Sequence, residues 1–306
     1  MDIRHLRRDE VDAQRWDRVV SGWPYETVYP YSWYLDLVSP GWSALVAGDY
    51  GYIMPLTWKK MLGIRYLYQP VSTQQLGIIS RDGKEPAADV LRRFLGFLPG
   101  YFHLGSYAFN RGNHVEQSPD FLVEERINYE LDLSASYERI RRGYATNTRR
   151  NLNRAVRSGL DQGGDITPEE FLERRRACDP FRRGDRFYDV VTRLTNGLVQ
   201  DGRGAIRGVR KGDRLIAAAL FAFSRKRAVY LHSFSDEEGR EYRSMFQIVD
   251  SLIRTHSGKG MVLDFEGSMV PTIARFFEGF GAEPTVYQRV RFNRFSRNLL
   301  RRKNNA

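Results

Sequence analysis

Two stretches of the chain share one order of apolar and polar positions. Residues 44–70 read ALVAGDYGYIMPLTWKKMLGIRYLYQP, and residues 208–234 read GVRKGDRLIAAALFAFSRKRAVYLHSF. Each predicts a strand, a Gly-Asp turn, a second strand, a basic turn and an aromatic strand. Asp49 and Tyr66 stand seventeen positions apart, as do Asp213 and Tyr230. The Gly-Asp pairs suit tight turns because glycine tolerates a positive φ. Downstream of each stretch follow a helix pattern (ADVLRRFLGFL, then SMFQIVDSLIRTH) and a short strand ending in Gly-Ser (FHLGS, then LDFEGS). The common order and spacing predict a duplicated α/β unit rather than a short-period solenoid.

The segment between the halves reads YELDLSASYERIRRGYATNTRRNLNRAVRSGL. Ser134 or Ser136 is placed to cap a helix with an apolar stripe of Ile140, Tyr144, Leu152 and Val156. Arg150, Arg154 and Arg157 then share another face, and Gly159 ends the element. Two further helices, EEFLERRRAC and FYDVVTRLTNGLV, flank a turn at Asp179-Pro180. The pattern places the boundary near residues 128–134, dividing the chain into 1–130 and 131–306.

Composition narrows the class. At 306 residues the chain holds one large domain or two, and 42% hydrophobic with 13% aromatic content supplies packed cores. A single cysteine, Cys178, forms no internal disulfide and suits a reducing cytoplasm. The longest apolar run, LIAAALFAF, is too short for a bilayer span of about 20 residues. The charged N-terminus, MDIRHLRRDEVDAQRW, shows no export signal. A formal net charge of +11 points to an anionic partner: nucleic acid, a nucleotide-linked substrate or the inner membrane face.

This order of elements resembles the GNAT acyltransferase core, and its duplication resembles the FemABX family, in which two GNAT-like domains share a chain. Three passages carry the resemblance. YATNTRRNLNRAVRSGL is similar to the basic helix opening the family's second domain. YLHSFSDEEGREYRSMFQIVDSLI is similar to the strand-loop-helix core, where GNAT proteins hold a pyrophosphate. LDFEGSMVPTIARFFEGFGAEP is similar to the closing strand-helix segment with its FG pair. In the first half, LGIRYLYQPVSTQQLGI looks like a cleft-lining stretch. The resemblance implies an α/β layered fold: two tandem GNAT-like domains with mixed, mostly antiparallel sheets flanked by helices. Two departures stand out. REYRSMFQ has no glycine where the GNAT loop is glycine-rich, and Phe276-Phe277-Glu278-Gly279 lacks the lysine that cell-wall transferases carry before the FG pair.

Acyl transfer to an amine needs proximity, a base and donors for a developing oxyanion. Asp264 and Glu266 alternate along a strand and point to opposite faces. Asp264, after Val262-Leu263, is the first choice for general base, with Glu266 orienting the acceptor or facing solvent; a plain surface pair is the alternative. Arg240, Arg243, Ser244 and Met245 stand before a helix whose free N–H groups suit a phosphate of a donor such as acyl-CoA, or else simply cap it. Tyr66, Tyr68, Gln69, Gln74 and Gln75 suit a sugar or peptide acceptor, or a loop packed on the core. Tyr144, Arg150 and His232 complete the candidate substrate set; His232 and His103 also read as strand histidines beside the core. Arg149, Arg150 and Arg154 suit an anionic acceptor or tRNA, or form a solvated helix face. The tail RVRFNRFSRNLLRRKN suits anionic lipid or nucleic acid, or solvent. No ligand spacing predicts a metal.

The expectation is a cytoplasmic N-acyltransferase, peripheral at the inner membrane face if the tail binds lipid. Its acceptor would be a small molecule or a peptidoglycan or polysaccharide precursor of the cell envelope. The missing lysine favours acyl-CoA over aminoacyl-tRNA as donor. The alternative is a degenerate tandem GNAT fold that binds an anionic ligand without catalysis.

Overall fold

The computed structural model describes residues 1–160, 163, 165–267 and 270–295. The chain divides into two compact units, Met1–Arg126 with the segment from Val286, and Ile127–Thr285. The last strand thus returns to the first unit, whereas the sequence pattern leaves it in the second.

The first unit opens with β1 (Ile3–Arg7), α1 (Ala13–Gly22) and α2 (Ser32–Val38). Next come β2 (Ser43–Ala47), β3 (Tyr52–Leu56), β4 (Trp58–Met61), β5 (Ile64–Leu67) and β6 (Ile79–Ser80), then α3 (Ala88–Tyr101) and β7 (Leu104–Phe109). One sheet runs β1-β2-β3-β6. The second strand of the pattern, between the Gly-Asp turn and the basic turn, is broken at Thr57, and the lysines read as the basic turn lie in β4, which leaves for a second group of strands. Thr57 holds the corner: its backbone carbonyl accepts Tyr68 N (3.0 Å) and its hydroxyl donates to Tyr68 O (2.5 Å). In the second group β4 pairs with β5, β5 runs parallel to β7, and β7 pairs with Gln288–Asn293 of β13 (Glu283–Asn293).

The second unit takes up β8 (Leu122–Asp132) from Ile127 onward. It continues with α4 (Tyr137–Arg142), α5 (Thr146–Arg157), α6 (Pro168–Ala177) and α7 (Asp185–Gln200). Then follow β9 (Gly204–Lys211), β10 (Arg214–Phe223), β11 (Arg227–Ser235), α8 (Glu237–Glu241), α9 (Ser244–His256), β12 (Val262–Asp264) and α10 (Pro271–Glu278). The strands order as β8-β12-β11-β10-β9. β10 is apolar along its length because it lies inside the sheet, with α9 contacting it and α6 and α7 contacting its neighbours. Both units therefore contain a hairpin, a helix and a strand parallel to the hairpin's second strand, in the same order (β4-β5-α3-β7 and β10-β11-α9-β12).

The single junction helix expected between Ser136 and Gly159 is two helices. Ser136 caps α4, accepting Arg139 N. The chain then breaks at residues 143–145, where Ala145 N donates to Gly279 O (2.9 Å) instead of a carbonyl one turn back. The break resets the helical phase: α5 buries Thr148, Leu152 and Ala155, and Val156 is 58% exposed.

Candidate functional site

In the second unit, β11 and β12 run parallel for three residue pairs, from Arg227↔Val262 to Val229↔Asp264, and then part. Two features shape the parting. β11 carries a bulge against β10: Phe221 faces Tyr230 and Leu220 faces His232, so Leu231 is the extra residue. A bulge leaves its extra residue outside the regular ladder and re-aims the side chains around it. Tyr230 accordingly packs toward Phe221, Phe265 and Phe277, and His232 toward Phe187. On the other side β12 ends in a turn with Glu266 and Gly267 in left-handed backbone (φ 58° and 51°). Asp264 Oδ1 holds that turn by accepting Glu266 N at 2.9 Å.

Asp264 does not stand open as a base. It is 0% exposed, and its Oδ2 accepts Arg227 Nη1 at 2.9 Å. The same Nη1 lies 2.9 Å from Glu130 Oε1, and Glu130 sits directly opposite Asp264 on β8. Burial raises the Asp264 carboxyl above its ordinary range, Arg227 opposes the rise, and Glu130 adds to it. Arg227, Asp264 and Glu130 form an enclosed ion cluster that anchors the turn. Glu266, two residues on, is only partly buried.

α9 opens directly after the loop that follows β11. Arg243 precedes it in left-handed backbone (φ 61°) and no side chain caps the helix. Ser244 is buried with its Oγ unpartnered, Met245 is partly buried and Arg243 is exposed. The first N–H groups of a helix lack partners within it and favour an anion. Arg240 is used locally, donating to Ser235 O at 2.7 Å. The preceding loop is no glycine cradle but the short helix α8, capped by Asp236, which Arg174 grips at 2.7 Å. Its glycine, Gly239, serves packing: a Cβ there would lie 2.5 Å from Ile216 O.

A second cluster lies on the α6–α7 side of β11, and the sequence reading took only His232 from it. Asp179 is buried and accepts Arg183 Nη1 (2.8 Å), Tyr188 Oη (3.0 Å) and the N–H groups of Phe181 and Arg183. Burial works to raise its carboxyl, but these hydrogen bonds hold it below the ordinary range. Burial, with Arg175 and Arg183 nearby, pushes His232 down to about 3, so its ring is neutral at pH 7 and a poor proton acceptor. Arg175 is 8% exposed, its Nε is enclosed without a hydrogen bond, and its carboxylate, Asp179, is 3.9 Å away. An arginine so weakly paired costs more in desolvation than it returns. Arg175→Met is expected to melt at the same or a higher temperature while weakening binding of a phosphate- or carboxylate-bearing ligand about tenfold. A denaturation curve alongside ligand titration checks this; a stability loss above about 2 kcal/mol would make Arg175 structural.

The remaining predicted residues separate. Tyr144 is internal: it and Tyr137 donate to Asp250 (3.0 and 2.8 Å), and burial raises the Tyr144 hydroxyl far above its usual range, so it supports α9 rather than a ligand. Arg150 lines a shallow groove with Asn153, Arg154 and Arg157, and none of these arginines has a carboxylate partner among the described residues. In the first unit, Tyr66 and Tyr68 line a cleft of about 870 Å³ with Ser106, Gln117, Asp120, Arg291 and Asn293. Gly105 forms its floor, where a Cβ would meet Phe292 at 2.4 Å. Gln69, Gln74 and Gln75 do not line it. Gln69 accepts Ala108 N (3.0 Å) and donates to Thr73 O (3.0 Å), and buried Gln75 donates to Gln74. Together with Leu76, which bridges to Phe109, Gln69 fills the parting of β5 and β7. His103 stacks on Phe295. The tail beyond Phe295 lies outside the described residues. Among the described residues no three His, Cys, Asp or Glu side chains gather as metal ligands, and no helix is long and apolar enough to cross a membrane.

No family model and no curated protein matches the sequence. Solved structures do match the fold. FemX superposes with a TM-score of 0.65 at 12% identity, over 94% of this chain and 97% of its own. The C-terminal domain of a proposed lysylphosphatidylglycerol synthetase from Agrobacterium fabrum gives 0.56 at 12% identity, over 92% of each chain. A tandem GNAT protein from the clavulanic acid biosynthesis pathway gives 0.53 at 12% identity, over 95% and 98%. The chain has a FemABX-like tandem GNAT fold.

Proposed function

We propose that this tandem GNAT fold is a transferase that moves an acyl or aminoacyl group from a thioester or ester donor to an amine. The second unit is the reacting one. One observation carries this reading: β11 and β12 part beside a bulge and the uncapped start of α9, whereas in the first unit Gln69 and Leu76 fill the corresponding parting. Backbone N–H groups released by a bulge suit a developing oxyanion, and a helix start suits the phosphate of a donor. Glu266, partly exposed where Asp264 is shut, is the proton acceptor of this scheme. The first unit's own cleft, with Tyr66 and Tyr68, suits a sugar or peptide. Acyl-CoA is the donor favoured by the missing lysine, with charged tRNA the alternative. The name of the lysylphosphatidylglycerol synthetase neighbour supports a membrane-lipid or envelope precursor as acceptor.

A second reading has its own support. The α8 plug and the sealed Asp264 are what a non-catalytic anion binder would show. Purified protein should be tested by thermal shift and by thiol release with acetyl-CoA, then with charged tRNA and amine acceptors. The transferase reading expects one donor to raise the melting temperature and turn over, and Arg243→Glu to weaken that donor about tenfold. Stabilisation by a donor without turnover on any acceptor favours the non-catalytic reading; no response to either donor class removes both.

A further inference from the structure

The β4–β5 hairpin of the first unit, WKKMLGIRYL, carries a feature that the proposed reaction does not use. Its base is anchored. Leu67 is buried, and Trp58 donates its indole N–H to Ser43 Oγ at 3.1 Å and packs 6.4 Å from Phe102. Its tip is bare: Met61 is 64% exposed and Leu62 93%. Met61 pairs with Ile64 across a two-residue turn in which Leu62 and Gly63 both have positive φ, 50° and 80°. That turn favours Asn-Gly or Asp-Gly. A leucine at the first position strains the backbone and gains no burial, so nothing in the fold rewards it.

The collar of the finger is cationic. Lys59, Lys60 and Arg65 are exposed, the ten residues contain no acid, and none of the three has a carboxylate partner among the described residues. Lys59 instead lies 4.8 Å over the ring of Tyr68.

The geometry points to this hairpin as an interfacial membrane anchor, with Met61 and Leu62 entering an anionic bilayer while Lys59, Lys60 and Arg65 meet lipid phosphates. Charge and shape together select this partner. A nucleic acid would engage the three cations but leave the apolar tip in water. A protein groove would bury the tip but would need its own acids against the collar. A bilayer with anionic headgroups accepts a convex apolar tip at depth and cations at the phosphate level at once. This inference is independent of the transfer reaction.

Co-sedimentation of the full chain with vesicles tests it, comparing pure phosphatidylcholine with one part phosphatidylglycerol in three of phosphatidylcholine. The wild-type chain is expected to pellet with the anionic vesicles and to be released by salt. Met61→Ser with Leu62→Gly should weaken that binding about tenfold or more. Its melting temperature should be unchanged or raised, because glycine relaxes the left-handed position. Lys59→Gln, Lys60→Gln and Arg65→Gln together should cost about fivefold per cation. Arg139→Gln with Arg141→Gln, exposed arginines on α4, serves as the charge control. The inference is overturned if the wild type ignores anionic vesicles, if the tip variant binds them as well as wild type, or if the α4 control loses as much per charge as the collar. Binding of RNA but not vesicles, lost in the collar variant, would assign the hairpin to nucleic acid and overturn it too.

Discussion

Replacing Arg227 by methionine is expected to destabilise the second unit by about 3–5 kcal/mol, the range for removing one partner of a buried ion pair. The guanidinium lies 2.9 Å from both the Asp264 and Glu130 carboxylates, and both Arg227 and Asp264 are shut from solvent. Without it, two like charges face each other across β8 and β12. The deficit should depend on pH with a definite sign. The Asp264 carboxyl is already raised in the folded protein, so its share of stability is complete below the ordinary carboxylate value and declines as pH rises through the folded one. Loss of Arg227 pushes it further up. The Arg227→Met deficit should therefore be largest near neutral pH and shrink toward pH 4 and below. Asp264→Asn, which leaves Arg227 with one carboxylate, should cost much less than Arg227→Met. Urea denaturation of the three proteins across pH measures this. A cost below about 1 kcal/mol for Arg227→Met at pH 7 would show the cluster to be solvated in solution.

Gly267→Ala is the second large effect, expected to cost about 3 kcal/mol. The residue sits at φ 51°, and a Cβ there would lie 2.1 Å from Ile127 O, a backbone atom that cannot swing aside. Left-handed backbone costs a side-chain-bearing residue about 1–2 kcal/mol, and overpacking adds about 1–3 kcal/mol. Gly258 supplies the control, with φ 74° and nothing within 4 Å of an added Cβ. Gly258→Ala should show the conformational cost alone. Equal denaturation midpoints for the two variants would mean that the close approach of the turn to β8 does not exist. If the turn at Gly267 also positions Glu266 for transfer, Gly267→Ala should lower turnover more than Gly258→Ala at matched folded fraction.

The duplicated order of strands and helix was legible in the sequence because it is carried by local signals. Gly48 and Gly212 mark turns, the run LIAAALFAF marks an interior strand, and the helices repeat their apolar residues at 3.6-residue spacing. The breaks were not legible, since each depends on a partner far along the chain. Thr57 splits a strand by bonding to Tyr68, and residues 143–145 split a helix because Ala145 donates to Gly279. The same distinction holds at the candidate site. The pair Asp264 and Glu266 was visible as two acids at a strand end, but not that Arg227 and Glu130 would enclose the first.

The sequence by itself determined the α/β class, the repeat, the strand that carries Asp264 and the helix start at Ser244, because periodicity and turn residues act over a few positions. That the strand stops at Asp264 and leaves Glu266 in a turn was decided by the fold. Tertiary structure alone decided that Gln69 fills a gap between strands, that Arg175 lies buried beside a neutral His232, and that Leu231 is the extra residue of a bulge. Burial, register and ion pairing are set by which residues meet across the fold, and no local pattern encodes that meeting.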